Sequence, residues 1–250
     1  MRRKLIAGNW KMNGSRAALA ELVAIDAAAK RANGGVEVAI ALPATLIEHA
    51  AALALDVAIG AQDVHAAQSG AHTGCLCAAM LAEAGATFTL VGHSERRADQ
   101  HETDQDVRGK AQAARGAGLS AILCVGETAA ERDAGLAAQI VRAQIEQSMP
   151  DGAAASWLTI AYEPRWAIGT GRTPMAADIA DVHALARATL HDLLGEGAAQ
   201  AMRILYGGSV TGENAAQILA IANVDGALVG GASLTAEKFV PIITAGASLA

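Results

Sequence analysis

Eight times along the chain, a short β-branched or apolar run is followed by a longer alanine-rich stretch whose apolar residues fall three and four positions apart. This alternation restricts the fold more than any other feature, because it builds a parallel sheet covered by helices. The strand-like runs are residues 4–8, 36–42, 57–61, 88–91, 120–124, 158–162, 204–206 and 226–229, and helical spacing is clearest over 15–31, 104–115, 128–148 and 176–194. A doubly wound sheet more often stops at about five to seven strands. Eight units within 250 residues suit an α/β chain closed into a (β/α)8 barrel, with eight parallel strands inside a ring of outer helices. No linker, low-complexity segment or charge block interrupts the pattern, so one domain over residues 1–250 is expected.

Composition excludes several partners. Hydrophobic residues make up 52% of the chain, but alanine supplies much of that fraction, and no apolar run approaches the roughly 20 residues that span a bilayer. The start, MRRK, is followed only by LIAG before the polar GNWKMNG, too short for the hydrophobic region of a signal peptide. A formal net charge of -6 without a basic stripe leaves nothing to neutralise nucleic-acid phosphates. Three cysteines, Cys75, Cys77 and Cys124, are an odd number in a chain too large to need disulfide staples, which fits a reducing, cytoplasmic setting. The C-x-C pair lacks the further ligands of a metal site, and no Walker or dinucleotide-binding glycine motif is present. Neither metal nor cofactor is implied.

In such a barrel, chemistry sits where strands run into the following loops. Polar groups gather at that end: Asn9-Trp10-Lys11 after the first strand, Gly92-His93-Ser94-Glu95-Arg96 after the fourth, Glu163-Pro164-Arg165-Trp166 after the sixth and Gly207-Gly208-Ser209 after the seventh. Glu163 directly follows the apolar LTIAY, where desolvation raises carboxylate basicity, and is the candidate base. An ion pair with a neighbouring arginine is the structural alternative. His93 is placed to polarise a carbonyl or carry a proton between adjacent oxygens. The other six histidines lack that setting and are expected to be structural. Lys11 offers a cation for a phosphate or a developing oxyanion, with the Asn9 amide beside it. Flanked by Trp10 and Met12, Lys11 does not read as part of a solvated face. The glycines of AIGTG (residues 167–171), Gly207-Gly208 and Gly230-Gly231 present amides that an anion can approach closely, after strands six, seven and eight. A phosphorylated substrate is expected.

The strings GNWKMNG, GAHTG, VGHSERR, CVGE, AYEPRWAIGTGRT, YGGSV and DGALVGGASL, spread over nearly the whole chain, resemble the triosephosphate isomerase family. That resemblance implies a TIM barrel that interconverts dihydroxyacetone phosphate and D-glyceraldehyde 3-phosphate through an enediol, in glycolysis and gluconeogenesis. It makes Glu163 the base and neutral His93 the electrophile and relay, a division of roles for which this enzyme is itself a standard example. Lys11 and Asn9 complete the polar site, Glu95 braces the lysine, and Gly169, Ser209, Gly230 and Gly231 hold the phosphate. The lid comprises Pro164, Arg165, Trp166, Ala167, Ile168, Gly169, Thr170, Gly171, Arg172, Thr173 and Pro174, with Ile168 and Leu228 crowding Glu163 on closure. Thr73 is implied as the contact to a partner subunit in a homodimer.

Several positions depart from the family pattern. Pro174 has no N–H to give to the hydroxyl of Tyr206, which shifts lid anchoring toward Trp166 with Glu127. Arg165 and Arg172 are expected to alter lid rates while leaving the chemistry intact. Cys75 stands where glutamate is usual and Cys77 where serine is, changes that bear on dimer affinity; Asp63, where asparagine is usual, adds a charge near the interface. Two alternatives remain on sequence alone: an isomerase of four-carbon ketose phosphates on the same fold, and a phosphate-binding protein without catalysis.

Overall fold

The computed structural model describes residues 2–32, 34–167 and 174–249. The chain alternates β1 (Lys4–Asn9), α1 (Leu19–Arg31), β2 (Val36–Leu42), α2 (Ala44–Ala51), β3 (Ala58–Ala61), α3 (Ala78–Glu83) and β4 (Phe88–Val91). It continues through α4 (Ser94–Asp99), α5 (Asp104–Gly116), β5 (Ser120–Val125), α6 (Ala129–Asp133), α7 (Ala137–Ser148) and β6 (Leu158–Tyr162). The last quarter holds α8 (Ala176–Leu194), α9 (Glu196–Ala201), β7 (Ile204–Tyr206), α10 (Ala215–Leu219), β8 (Gly226–Val229) and α11 (Ala236–Ala247). The eight strands pair in parallel in sequence order, and β8 returns to β1 to close the barrel.

Strands covered on both faces carry near-continuous apolar sequence. Successive side chains alternate between the lumen and the helices. Leu5, Ala7, Ala39, Ala41, Phe88, Leu90, Ile122, Cys124, Ala161, Leu205 and Leu228 fill the lumen as one cluster, while Ile6, Val38, Ile40, Leu123 and Ile160 belong to the larger core beneath the helices. Asn9 follows Leu5 and Ala7 at a spacing of two, and Glu163 follows Ala161 likewise. The period of the strand therefore delivers both polar side chains to the top of the lumen.

The strand boundaries differ from the sequence expectation by single residues. Pairing carries β1 on to Asn9 and β5 on to Val125. Val57 stays outside β3 because Asp26 of α1 accepts the N–H groups of Asp56 (2.7 Å) and Val57 (3.1 Å). Two helices are shorter than their apolar spacing suggests. The segment before Leu19 is held by i to i+3 bonds, Ala18 N–H to Ser15 O and Leu19 N–H to Arg16 O, so the α-helix begins four residues late. Residues 128–148 form two helices: Thr128 starts α6 with a reciprocal capping box to Glu131, and Gly135 at φ +74° ends it.

The seam between β8 and β1 depends on Gly226, which pairs with Leu5 at φ +151°. A Cβ there would lie 1.9 Å from the Leu5 carbonyl oxygen, a backbone atom that no rotamer change can move. Gly226→Ala is expected to destabilise the fold by at least about 3 kcal/mol, the upper range for overpacking. The urea midpoint measures this; a loss under about 1 kcal/mol would show that the seam can adjust.

Candidate active site

Several loops at the C-terminal rim contribute groups fixed by backbone contacts. Asn9 is buried at the end of β1, and its Oδ1 accepts the Lys11 N–H at 2.9 Å. Lys11 adopts φ +52°, uncommon for a residue with a side chain, and its carbonyl is held by Gln62 Nε2 at 2.8 Å. The Lys11 ammonium lies 2.5 Å from Glu95 Oε1, as expected for a brace. Trp10 is buried, its indole N–H donating to the Ser233 carbonyl, but Met12 is 97% exposed. Lys11 is thus apolar-flanked on one side only.

His93 precedes α4, and its Nδ1 accepts the Glu95 N–H at 3.3 Å. With Nδ1 acting as acceptor, the ring proton sits on Nε2, which lies 2.9 Å from Glu163 Oε1. Glu163 Oε2 accepts the Ser94 N–H at 2.9 Å, and the Glu163 N–H extends the sheet to Val125 O at 2.7 Å. The carboxylate is therefore gripped from the His93 side, and no arginine of the described residues pairs with it.

The electrostatics correct one sequence expectation. Burial does act to raise the Glu163 pKa, but the His93 imidazole at hydrogen-bond distance, the Ser94 N–H and the Lys11 ammonium together hold it below its ordinary value. For His93, burial acts downward and the Glu163 carboxylate draws the pKa up. One hydrogen bond links the two shifts. The candidate base is thus an ionised carboxylate in the resting pair, and desolvation alone does not set its basicity.

Asn9, Lys11, His93, Glu163, Gly207, Ser209, Leu228, Gly230 and Gly231 line a single cavity of about 340 Å³ among the described residues. Part of its wall is backbone. The N–H groups of Ser209, Gly230 and Gly231 donate to no backbone carbonyl of the described residues, leaving three donors near the ammonium of Lys11. Such a wall binds an anion through amides without side-chain obstruction. Leu228, expected beside Glu163, lines the same cavity.

Of the expected lid, Ile168, Gly169, Thr170, Gly171, Arg172 and Thr173 lie outside the described residues. Pro164, Trp166, Ala167 and Pro174 are buried, and Arg165 is half-buried. Trp166 Nε1 donates to Glu127 Oε1 at 2.8 Å, the anchoring expected from the loss of an amide at Pro174. Glu127 Oε1 also accepts the Tyr162 hydroxyl, and the Arg132 guanidinium lies 4.5 Å from the Trp166 ring centroid. Thr73 sits in the exposed stretch 71–76, away from the cavity lining. Asp63 joins a charge network with Arg96 (2.9 Å), Lys110 (2.7 Å) and, through them, Glu102.

Sequence reasoning missed Gln62, which holds the Lys11 backbone; it follows an apolar strand, and the same position signal that selected Glu163 would have found it. Of the histidines set aside, His183 is buried under α8, its Nδ1 3.0 Å from the Asn223 carbonyl, and burial pushes its pKa down to about 4. That is a core histidine.

A closed eight-stranded barrel that gathers a carboxylate–imidazole pair and a row of backbone amides around one cavity defines a class, the barrel enzymes that do acid–base chemistry on small anionic substrates. The triosephosphate isomerase family model matches residues 4–246. Relatives named triosephosphate isomerase from Afipia carboxidovorans and from Ruegeria sp. strain TM1040 are 56% and 55% identical, over 97% and 98% of both chains respectively. The crystal structure of triosephosphate isomerase from Bartonella henselae superposes with a TM-score of 0.91 at 43% identity, covering 97% of this chain and 98% of that one. The chain belongs to the triosephosphate isomerase family. Among the described residues, no helix is long and apolar enough to cross a membrane.

Proposed function

We propose that this chain interconverts dihydroxyacetone phosphate and D-glyceraldehyde 3-phosphate by proton transfer through an enediolate. The observation that carries this is the Glu163–His93 pair at 2.9 Å, lining the same cavity as backbone amides that no carbonyl of the described residues takes up. Glu163 takes the proton from the carbon beside the carbonyl, the C–H electrons become the enediolate double bond, and the carbonyl oxygen gains the charge. His93 gives its Nε2 proton to that oxygen and takes up the proton of the neighbouring hydroxyl, the Asn9 amide donates to the substrate oxygens, Lys11 balances their charge, and Glu163 returns its proton to the former carbonyl carbon as the other oxygen becomes the new carbonyl. The phosphate rests on Ser209, Gly230 and Gly231, joined by Gly169 from the lid that the family resemblance assigns to residues 164–174. The protein's own side chains supply every step of this proton transfer.

Two further assignments concern assembly and location. A homodimer is supported by the exposed apolar groups Met12, Leu76 and Met80 and by a second cavity of about 390 Å³ that reaches from Cys75 and Leu76 to Lys11 and His93. Thr73 would then contact the partner. A cytoplasmic place in glycolysis and gluconeogenesis fits the family and the three free thiols.

Steady-state isomerisation of glyceraldehyde 3-phosphate by metal-stripped protein tests the activity, with a four-carbon ketose phosphate in parallel and the mass in solution read by light scattering. Fast turnover of the triose phosphate is expected. Turnover of the four-carbon substrate alone would replace the substrate, and turnover of neither would remove the reading.

A further inference from the structure

Arg97, the second arginine of VGHSERR, lies in α4 outside the cavity lining, with its side chain only 8% exposed. Its guanidinium reaches four acceptors. Nε donates to the Gly92 carbonyl (2.9 Å), Nη1 to Asp104 Oδ1 (2.7 Å), and Nη2 to the Cys124 carbonyl (3.3 Å) and Ser148 Oγ (3.2 Å). Ser148 Oγ donates in turn to Asp104 Oδ1 at 2.9 Å.

The two carbonyls stand at a particular place in the sheet. Pairing between β4 and β5 ends at Val91 opposite Leu123, so Gly92 and Cys124 are the next positions along a ladder that has stopped. The guanidinium bridges them where backbone bonds no longer do. The peptide unit that begins at the Gly92 carbonyl carries His93. The residue after Cys124 is Val125, whose carbonyl accepts the Glu163 N–H at 2.7 Å. The relay is therefore one peptide unit away from one carbonyl that Arg97 holds, and the base one peptide unit and one hydrogen bond away from the other. A planar fork with separated donors can span two carbonyls and a carboxylate together, which a single ammonium cannot.

We propose that Arg97 is a positioning residue for the isomerisation: it fixes the spacing of the β4 and β5 ends and thereby the alignment of His93 with Glu163. The inference rests on the isomerase function above, so the unmodified protein is assayed alongside; its inactivity would remove that function and say nothing about alignment. Arg97→Lys keeps the charge facing Asp104 and loses the fork. Its kcat is expected to fall about tenfold to a hundredfold, the cost of a displacement near 1 Å, with KM within about twofold. Arg97→Ala is expected to fall further and to recover in part with added guanidinium ion, but not with ammonium. Folded fraction is followed by circular dichroism, and alignment is read from the imidazole proton and nitrogen resonances of His93, which should shift in Arg97→Lys. A folded Arg97→Lys with kcat within about twofold of the unmodified protein and unshifted His93 resonances would overturn the proposal. Loss of activity that only tracks loss of folded protein, without guanidinium rescue, would overturn it as well.

Discussion

Glu163→Asp is expected to keep the barrel and lose about a hundredfold to a thousandfold in kcat, because withdrawing the carboxylate by one methylene misplaces it by more than 1 Å. The native carboxylate makes two contacts at 2.9 Å, to His93 Nε2 and to the Ser94 N–H, and the shorter side chain cannot keep both while reaching the substrate carbon. Glu163→Gln removes the base itself and is expected to cost at least as much, within the range of about 10²- to 10⁴-fold for general acid–base groups. The pH dependence carries a definite sign. Burial opposes the Glu163 charge, but His93 and the Ser94 N–H win and depress the pKa. The base works when ionised, so kcat/KM is expected to fall only as pH drops through a value below that of an ordinary glutamate. The second ionisation of the substrate phosphate, about 6, is corrected for separately. Stability follows the same sign: the contribution from Glu163 is present above its unfolded pKa and is lost as pH falls through the depressed folded value. A kcat for Glu163→Asp within tenfold of the native value, in folded protein, would reassign the base.

How much of this could be read from residues alone differs by level. The barrel was legible because strands covered on both faces advertise themselves as apolar runs, and eight such runs with helical spacers leave few topologies. Boundaries were less legible because tertiary contacts decide them, as when Asp26 takes the amides before β3 or Gly135 cuts residues 128–148 into two helices. Asn9, Lys11, His93, Glu95 and Glu163 could be found because polar groups at strand ends are conspicuous in an apolar sequence. The spatial partners of these groups could not. Nothing in the spacing of Gly92, Arg97 and Cys124 says that one guanidinium bridges two carbonyls, and nothing near Gln62 says that its amide restrains Lys11. The direction of the Glu163 pKa was misjudged for the same reason. Desolvation can be inferred from the flanking LTIAY, but the histidine that outweighs it lies 70 positions away and meets it only in the folded chain.

Lys11 carries the other large expected effect. Its backbone sits at φ +52°, a conformation that costs an L-residue roughly 1–2 kcal/mol, and it is held there by Asn9 Oδ1 at its N–H and Gln62 Nε2 at its carbonyl. Two buried or half-buried side chains committed to maintaining strain indicate that the location of the ammonium matters more than local stability. Lys11→Met keeps the length of the side chain and removes the charge. Loss of the one cation that the proposed mechanism sets against the substrate oxygens is expected to lower kcat/KM by about 10³-fold, with KM rising and kcat falling together. Folding stability should change little. The partner, Glu95, is half exposed, and an ion pair so open to water is worth at most about 1 kcal/mol. Lys11→Gly separates the two effects: it relieves the strain at φ +52° and should be no less stable than Lys11→Met while being equally impaired. Steady-state kinetics and urea unfolding on the same preparations decide the matter. If Lys11→Met retains kcat/KM within tenfold, the cation is not part of the chemistry; if it loses stability in proportion to activity, the strained backbone serves the fold instead.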